Sequence, residues 1–285
     1  MEVDCPALSR YAGVDAFIEP LSVENTGVGT LYLHTSPEYR MKQLLCRGSG
    51  DIFQISHVYR SEELGRLHQI EFTMVEWYRV GFGFQEMIDE SIEYATLFLG
   101  RRPWVQLTYR EAFIEHVGFD PFEISDEELY SRYREEYDEH DRDCLLNYVM
   151  GVHICPKLGF DGFCVITHYP SSQCALARCI ELEGNNTALR FELFYQGTEL
   201  ANGYYELLDS EEQLIRFQAI NRERIANGKA ELPIDYSLIE SLKLGMPACC
   251  GVAVGFDRLM MLRHESHAID EVIPFPLYPV GENNG

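Results

Sequence analysis

A glutamate and a tyrosine on one predicted strand are the first candidates for chemistry. In the segment "IEFTMVEWYR" side chains alternate between two faces with a period of two residues. The residues on one face are Phe72, Met74, Glu76 and Tyr78. A carboxylate buried among apolar and aromatic side chains is costly unless a cation or hydrogen-bond donors meet it. Glu76 therefore needs an internal cation or a cationic ligand, and the sequence leaves both open.

More acidic residues follow in "FELFYQGTELANGYYEL", which contains Glu192, Glu199 and Glu206, with Asn202 on the same strand face as Glu206. Carboxylates that converge on one cleft repel each other unless cations lie among them. Mg²⁺ bound to a triphosphate is one source of positive charge, because it favours one or two carboxylates plus phosphate oxygens. A substrate ammonium group is another. Taken alone, the segment also fits exposed acids on an edge strand.

The segment "CCGVAVGFDRLMML" has a strand face that is almost bare, formed by Gly251, Ala253 and Gly255. Such a face occurs where another part of the chain packs closely or where a flat ligand lies on the sheet. Arg258, just after this strand, offers a rigid fork of donors that suits phosphate. The glycine spacing matches neither the dinucleotide fingerprint nor a Walker loop.

The elements that must position these residues indicate an α+β fold with a mainly antiparallel sheet. Strand-like runs are "TLYLHT", "DIFQISHVYR", "IEFTMVEWYR", "LRFELFYQG", "NGYYELLD" and "CCGVAVGF". Predicted helix starts are capping boxes at Ser125 with Glu128 and at Ser210 with Gln213, and an N-cap at Asp235. Ser36-Pro37-Glu38 is typical of a helix N-terminus with a first-turn acid, and Gly228 and Gly245 occupy C-terminal positions.

Composition favours one globular domain over residues 1–285, with a helical insertion at about 109–150. The chain is 46% hydrophobic and contains no apolar run of about 18 residues and no signal-like start, so we expect a cytoplasmic protein without a membrane partner. Its nine scattered cysteines suit a reducing compartment. A formal charge of -23 opposes attraction to phosphate backbones, so a tRNA partner is not expected.

Taken together and in order, these segments resemble the three signature motifs of class II aminoacyl-tRNA synthetases, in the lysyl branch. "VDCPALS" resembles motif 1, "YRSEELGRLHQIEF" motif 2 with its R-x-E pair, and "GVAVGFDR" motif 3. Within this branch, "TSPEYRMKQLL", "EFTMVEWYR" and "GTELANGYYEL" are most similar to the freestanding ligases that attach β-lysine to elongation factor P. The resemblance covers nearly the whole chain.

The resemblance implies ATP and Mg²⁺ as cofactors and a set of site residues. Arg60 and Arg258 would act on the phosphates as catalytic residues, and Glu192 and Glu199 would hold the metal. The implied ATP-binding residues are Arg60, Ser61, Glu62, His68, Gln69, Phe72, Glu199, Leu200, Gly255 and Arg258. The implied residues for lysine or β-lysine are Ser36, Pro37, Glu38, Glu76, Tyr78, Asn202, Glu206 and Ala253. Of these, Glu206 and Tyr78, helped by Glu76, would receive the terminal ammonium group.

The acceptor implied by this resemblance is a lysine side chain of elongation factor P. Ala253 stands where lysyl-tRNA synthetases carry glycine, and its methyl group is expected to discriminate between lysine isomers by about 1 to 3 kcal/mol. Gln69-Ile70 replaces the family's usual Asn-Pro in motif 2. The N-terminal helix before motif 1 is expected to be absent, which leaves a homodimer open. The alternatives are a catalytic-domain-only lysyl-tRNA synthetase relative that acts on tRNA or a small carrier, and a non-catalytic amino-acid sensor.

Overall fold

The alternating apolar segments form strands in the computed structural model, which describes residues 1–24, 26–61 and 64–277. The strands are β1 (Leu8–Ser9), β2 (Ser22–Val23), β3 (Leu31–Leu33), β4 (Ile52–Tyr59), β5 (Glu71–Val80), β6 (Trp104–Thr108), β7 (Phe163–Pro170), β8 (Cys179–Leu182), β9 (Asn185–Tyr195), β10 (Thr198–Tyr205) and β11 (Cys249–Gly255). All six predicted strands are therefore confirmed. The sequence analysis missed β1, β2, β6, β7 and β8.

Helices fill the intervals between these strands. They are α1 (Glu38–Cys46), α2 (Phe84–Leu99), α3 (Tyr109–Val117), α4 (Asp126–Tyr133), α5 (Arg142–Val149), α6 (Ser210–Ala226), α7 (Tyr236–Leu244) and α8 (Phe256–Arg263). A π-helical turn at Met150–Ile154 and 3-10 turns at Cys155–Lys157, Ser171–Gln173 and Ile269–Glu271 complete them. No helix in the described ranges is both long and apolar enough to cross a bilayer.

Most predicted helix ends are confirmed. The Ser125 side chain accepts from the Glu128 backbone at the start of α4, and the Asp235 carboxylate accepts from two backbone N–H groups at the start of α7. The prediction for α6 was wrong, because its N-cap is Asp209 and Ser210 is already the first helical residue. Asp209 wins because its carboxylate accepts two of the unpaired N–H groups at the helix N-terminus.

The chain divides into two compact units, and the prediction of a single domain stays a prediction. The first unit comprises Met1–Gly83 and Glu206–Gly285. In it β5 pairs antiparallel with β4 on one side and with β11 on the other. A small antiparallel sheet has β3 between β1 and β2. Helices α1, α6, α7 and α8 belong to the same unit, and α7 contacts both α1 and α6.

The second unit comprises Phe84–Tyr205. Its strands follow the order β10-β9-β7-β6, with β8 paired to β9, and only the β6–β7 pair is parallel. Helices α3, α4 and α5 share a buried aromatic and aliphatic core with β7, which includes Tyr109, Phe113, Leu129, Leu146 and Ile166. The α+β class with mainly antiparallel sheets is confirmed.

Candidate functional site

Strand β5 in the first unit carries Glu76 into a fully buried position. Ser36, in the turn before α1, donates its hydroxyl to one Glu76 oxygen at 2.6 Å, and Tyr78 donates its hydroxyl to the other at 2.8 Å. The Ser36 oxygen also accepts from the backbone N–H of Glu38 at 3.0 Å, which ties the start of α1 to β5. No ion pair reaches Glu76 from the described part of the chain. Hydroxyl groups therefore orient this carboxylate without neutralising it.

A lysine that the sequence analysis did not single out lies beside the other two acids of the predicted amino-acid site. The Nζ atom of Lys42, one turn after Glu38 on α1, lies 2.7 Å from the Glu38 carboxylate and 2.6 Å from that of Glu206. The Lys42 side chain is 1% exposed, and so is that of Glu206. A buried charge at this depth is tolerated only when it is paired. The unit thus contains three neighbouring carboxylates and one internal ammonium group.

The bare face of β11 explains how Tyr78 and Glu206 fit together. A methyl group built at Gly251 would lie 2.4 Å from the Tyr78 ring and 2.5 Å from a Glu206 oxygen, so Gly251 is required by close packing. Gly255 has ordinary room around it, since its nearest neighbour is the Arg258 side chain at 3.6 Å. Ala253 pairs with Glu76 in the β11–β5 register. The predicted bare face is therefore required by close packing at Gly251 and would tolerate a methyl group at ordinary contact distance at Gly255.

Burial changes the acid–base behaviour of these groups. Burial, together with the charge of Glu38, raises the pKa of Glu76 to about 8, although the Ser36 and Tyr78 hydrogen bonds oppose the change. Burial also raises the pKa of Glu206 to about 7, against the lowering effect of Lys42. For Lys42, burial disfavours the charge, but the carboxylates of Glu206 and Glu38 prevail and raise its pKa. Near neutral pH this site is therefore close to binding or releasing a proton.

Arg258 and His68, both assigned to the phosphates by the resemblance, contact each other in the first unit. Arg258 is on α8, directly after β11, and its Nη2 atom lies 2.8 Å from Nε2 of His68. Because a guanidinium group can only donate, His68 accepts at Nε2 and carries its proton on Nδ1. Arg258 also donates from Nε to the backbone oxygen of Leu67 at 3.3 Å. The next residue back, Asp257, anchors α8 to β5 by accepting from the Thr73 backbone N–H at 2.6 Å.

The other described residues of motif 2 lie around the end of β4 and the start of β5. The guanidinium of Arg60 lies over the Phe72 ring, 5.2 Å from its centroid. The backbone N–H of Arg60 donates to Ile70, and that of Ser61 donates to Glu19. Gln69 is 2% exposed. Glu62 lies outside the described residues, so its predicted role stays a prediction.

The second unit contains the two carboxylates predicted to hold a metal. Glu192 on β9 faces Asn202 of β10 in the strand register. An Nη2 atom of Arg190 lies 2.5 Å from Oε1 of Glu192, and the Asn202 amide donates to the same oxygen at 3.2 Å. Burial raises the pKa of Glu192; Arg190 opposes this change, and the charge of Glu199 adds to it. The β9–β10 register shifts between Glu199 and Ala201, at the buried Leu200.

These residues fit a hard cation bound mainly through a ligand. No group of three or more histidine, cysteine, aspartate or glutamate side chains suited to a metal occurs in the described ranges. Mg²⁺ needs only one or two carboxylates when phosphate oxygens and water complete its octahedron. The buried Oδ1 of Asn202, beside Glu192, has no hydrogen-bond partner among the described residues. The role of Glu192 and Glu199 as carboxylate ligands for Mg²⁺ on a triphosphate stays a prediction.

The sequence contained a signal for Lys42 that the analysis did not use. Glu38 and Lys42 are four residues apart on a predicted helix, and a glutamate placed four residues before a lysine forms a favourable pair on one helix face. The contact between Lys42 and Glu206 had no such signal, because 164 positions separate these residues in the chain. The internal cation of the acidic pocket is therefore a finding of the tertiary structure.

Comparison with known proteins identifies similar chains over nearly the full length. A family model described as tRNA synthetases class II (D, K and N) matches residues 1–278. A protein of Vibrio parahaemolyticus is 42% identical over 291 residues, which cover 98% of this chain and 90% of that protein. A Photobacterium profundum protein is 41% identical over 97% of this chain and 89% of its own length, and one of Mannheimia succiniciproducens is 40% identical over 96% and 88%. All three relatives are named elongation factor P–(R)-beta-lysine ligase.

Proposed function

Because the chain belongs to the class II tRNA synthetase family (D, K and N), with relatives named as ligases for (R)-β-lysine and elongation factor P, we propose that it is such a ligase. It uses ATP to adenylate (R)-β-lysine, or lysine less well. It then transfers the acyl group to a lysine side chain of elongation factor P. The observation that carries this proposal is the acidic pocket of the first unit, formed by Glu38, Glu76, Glu206 and Lys42, in which Glu76 has hydroxyl donors but no cation partner among the described residues.

A diamino acid supplies the charge that this pocket lacks. Its terminal ammonium group would pair with Glu76 and Glu206, and the Tyr78 hydroxyl would orient Glu76. The Ser36–Glu38 turn and Asn202 are proposed to position the other amine and the carboxylate. Pairing a buried carboxylate with a substrate ammonium offsets its desolvation, which favours a dibasic amino acid over a neutral one. Ala253 pairs with Glu76 in the β11–β5 register, and its methyl group is proposed to reduce the space available to the amino acid beside Glu76.

The first half-reaction joins the amino-acid carboxylate to the α-phosphorus of ATP and releases pyrophosphate. Two anions approach each other in this step, so fixed positive groups must compensate the developing charge. Arg60 is proposed to hold the α-phosphate, and Arg258, which His68 orients, to hold the γ-phosphate. The adenine would lie against Phe72, Gln69 and Glu62, beside Leu200 and Gly255. Mg²⁺ on Glu192 and Glu199 would supply further positive charge to the phosphates.

In the second half-reaction the ε-amine of the acceptor lysine attacks the acyl carbon, and AMP leaves with the electron pair of the broken bond. The amine must arrive deprotonated in order to act as a nucleophile. Elongation factor P is the proposed acceptor because the relatives' names specify it. The net charge of -23 supports this choice over tRNA, since that charge repels a phosphate backbone.

Two measurements test this proposal. ATP–pyrophosphate exchange is measured with L-lysine, (R)-β-lysine and (S)-β-lysine, and we expect the fastest exchange with (R)-β-lysine. No exchange with any isomer would favour the sensor alternative. Mass spectrometry of elongation factor P and of lysine tRNA, each incubated with enzyme, ATP and each isomer, then identifies the acceptor. A modified tRNA with unmodified elongation factor P would favour the synthetase alternative.

The variant Arg258→Ala tests the role of Arg258 in the first half-reaction. We expect it to reduce exchange strongly while amino-acid binding is preserved, because Arg258 is assigned to the phosphates. Unchanged exchange in this variant would remove Arg258 from the mechanism.

A further inference from the structure

The position of Lys42 divides the acidic pocket of the first unit into two parts. Its Nζ atom lies within 2.7 Å of both Glu38 and Glu206, whereas the side-chain donors to Glu76 in the described ranges are the hydroxyl groups of Ser36 and Tyr78. Three carboxylates with one ammonium group leave two uncompensated negative charges when all four groups are ionised. Lysine and its β-isomer each carry two ammonium groups. In that state the pocket has one negative charge for each ammonium group of the proposed substrate, whose carboxylate is assigned to the reaction with ATP.

We propose that Lys42 is a specificity-determining positioning residue, which occupies the inner cation position between Glu38 and Glu206 and directs the substrate ammonium group to Glu76. This inference rests on the proposed function and adds a residue to it. Lys42 pairs with two carboxylates and keeps them in fixed places, so the substrate meets a pocket of defined charge and depth. Without it, the inner carboxylates would lose their shared cation and would draw the substrate ammonium group away from Glu76.

The surroundings of Lys42 support an electrostatic role. It lies on α1 within the unit that contributes Glu76 and Tyr78 from β5, Glu206 after β10, and Gly251 from β11. The two buried oxygens of Glu206 have no other hydrogen-bond partner among the described residues. Lys42 is thus the sole internal cation that Glu206 contacts in the described part of the chain. At 1% exposure its amine is also inaccessible to solvent.

A charge-compensation experiment tests this inference. Lys42→Met removes the ammonium group at similar length, Glu38→Gln removes one carboxylate, and the double variant removes both and restores two net negative charges. Binding of L-lysine and (R)-β-lysine is measured by calorimetry without ATP, and ATP binding is measured separately. We expect either single variant to weaken lysine binding about tenfold or more, with ATP affinity changed less than about twofold. The double variant should bind lysine more tightly than either single variant.

Tighter lysine binding by the double variant than by either single variant distinguishes a positioning role of Lys42 from a purely structural ion pair. If Lys42 only stabilised the fold, the melting temperature of Lys42→Met would change but this variant would bind lysine as the wild type does when folded, and the double variant would bind lysine no more tightly than Glu38→Gln. That outcome, or a double variant weaker than both single variants, would overturn the inference. If Lys42→Met does not fold, the double variant is compared with Glu38→Gln alone, and the inference still requires tighter binding by the double variant.

The wild-type protein separates this inference from the proposed function. If it neither binds any lysine isomer nor catalyses exchange, the proposed function fails and the role of Lys42 fails with it. If the wild type binds and exchanges while Lys42→Met binds lysine equally well, only the inference about Lys42 is wrong. Exposed Lys243, which pairs with Glu240 on α7, supplies the control substitution Lys243→Met, which should leave lysine binding unchanged.

Discussion

Buried glutamates occur in both units, but the two units compensate them differently. In the second unit Arg190 pairs directly with Glu192, and its guanidinium also donates to the backbone of Gln173 at 2.8 Å and lies 4.4 Å from the Tyr169 ring centroid. In the first unit the ammonium group of Lys42 pairs with two carboxylates, those of Glu38 and Glu206. Among the described residues, neither this ammonium group nor another cation forms an ion pair with Glu76. Arg190 is therefore a fixed partner of one acid, whereas Lys42 leaves another acid without a cation.

This difference indicates which carboxylates have a fixed internal cation and which depend on a ligand for charge compensation. An arginine fork held on several sides keeps its partner oriented whether or not a ligand is bound. A carboxylate held only by hydroxyl groups keeps the cost of its buried charge until a cation arrives or a proton binds. By this criterion Glu192 has structural support of its own, and Glu76 is the acid that a substrate completes.

The largest expected effect comes from removing the fixed partner. Arg190→Met leaves Glu192 as a buried charge without its cation, so we expect a loss of about 3 to 5 kcal/mol in the free energy of unfolding, measured by urea denaturation. Arg134→Met is the matched control, because the Arg134–Glu135 pair is exposed and should contribute less than about 1 kcal/mol. Equal stability of the two variants would contradict the contrast between the units.

Glu206→Gln tests the pocket that awaits a ligand. We expect lysine binding to weaken by about 2 to 5 kcal/mol, because the variant removes a desolvated acid that contacts Lys42 and is proposed to contact the substrate. ATP affinity, measured in the same calorimetric series, should be nearly unchanged. Glu240→Gln, at an exposed position of α7, is the control. Equal losses for lysine and ATP would show that Glu206 supports the whole fold rather than the amino-acid pocket.

Because Glu76 is buried without a cation partner among the described residues, we expect the stability of the protein to depend on pH. The folded-state pKa of about 8 lies above the ordinary value of 4.5, so burial favours the protonated carboxyl. The stabilising contribution of the protonated Glu76 to the free energy of unfolding is therefore complete below pH 4.5 and is lost as the pH rises through 8. We expect the wild type without ligand to lose about 2 to 4 kcal/mol more stability over this interval than Glu76→Gln does.

Thermal and urea unfolding at pH 5, 6.5 and 8.5 measure this difference. The charge of Glu206 contributes to the raised pKa of Glu76, so the difference between the two proteins measures the ionisation of Glu76 together with this coupling. Added lysine should reduce the loss in the wild type, because an ammonium group stabilises the ionised Glu76. Parallel pH profiles of the wild type and Glu76→Gln would contradict the assignment.

The smallest expected effect concerns the methyl group next to Glu76. Ala253→Gly should lower the ratio of kcat/KM for (R)-β-lysine to kcat/KM for L-lysine. The expected change corresponds to about 1 kcal/mol, because the variant removes one methyl group from the wall of the pocket. Ala188→Gly, at a buried strand position of the second unit, controls for a general loss of strand packing. A ratio equal to that of the wild type would mean that Ala253 does not select the isomer.

Local patterns predicted much of the architecture. Strand β5 alternates in its side chains, and the predicted partners Glu76 and Tyr78 do share a face and a hydrogen bond. Strand β7 was missed because five consecutive residues from Phe163 to Thr167 are buried, so its sequence has no alternation to detect. At α6 two adjacent capping residues competed, and the local pattern favoured Ser210 over the better acceptor Asp209. The predicted helical stretch at about 109–150 contains α3, α4 and α5.

Residue types and their order by themselves determined the α+β class, the three family motifs and most of the acidic and basic groups of the candidate site. These properties are local, since they follow from side-chain periodicity, helix capping and short motifs. Only the tertiary structure decided how the charges are shared. The chain brings Lys42 against Glu206 and leaves Glu76 to hydroxyl groups, because the packing of a helix against a sheet sets these contacts over long sequence separations.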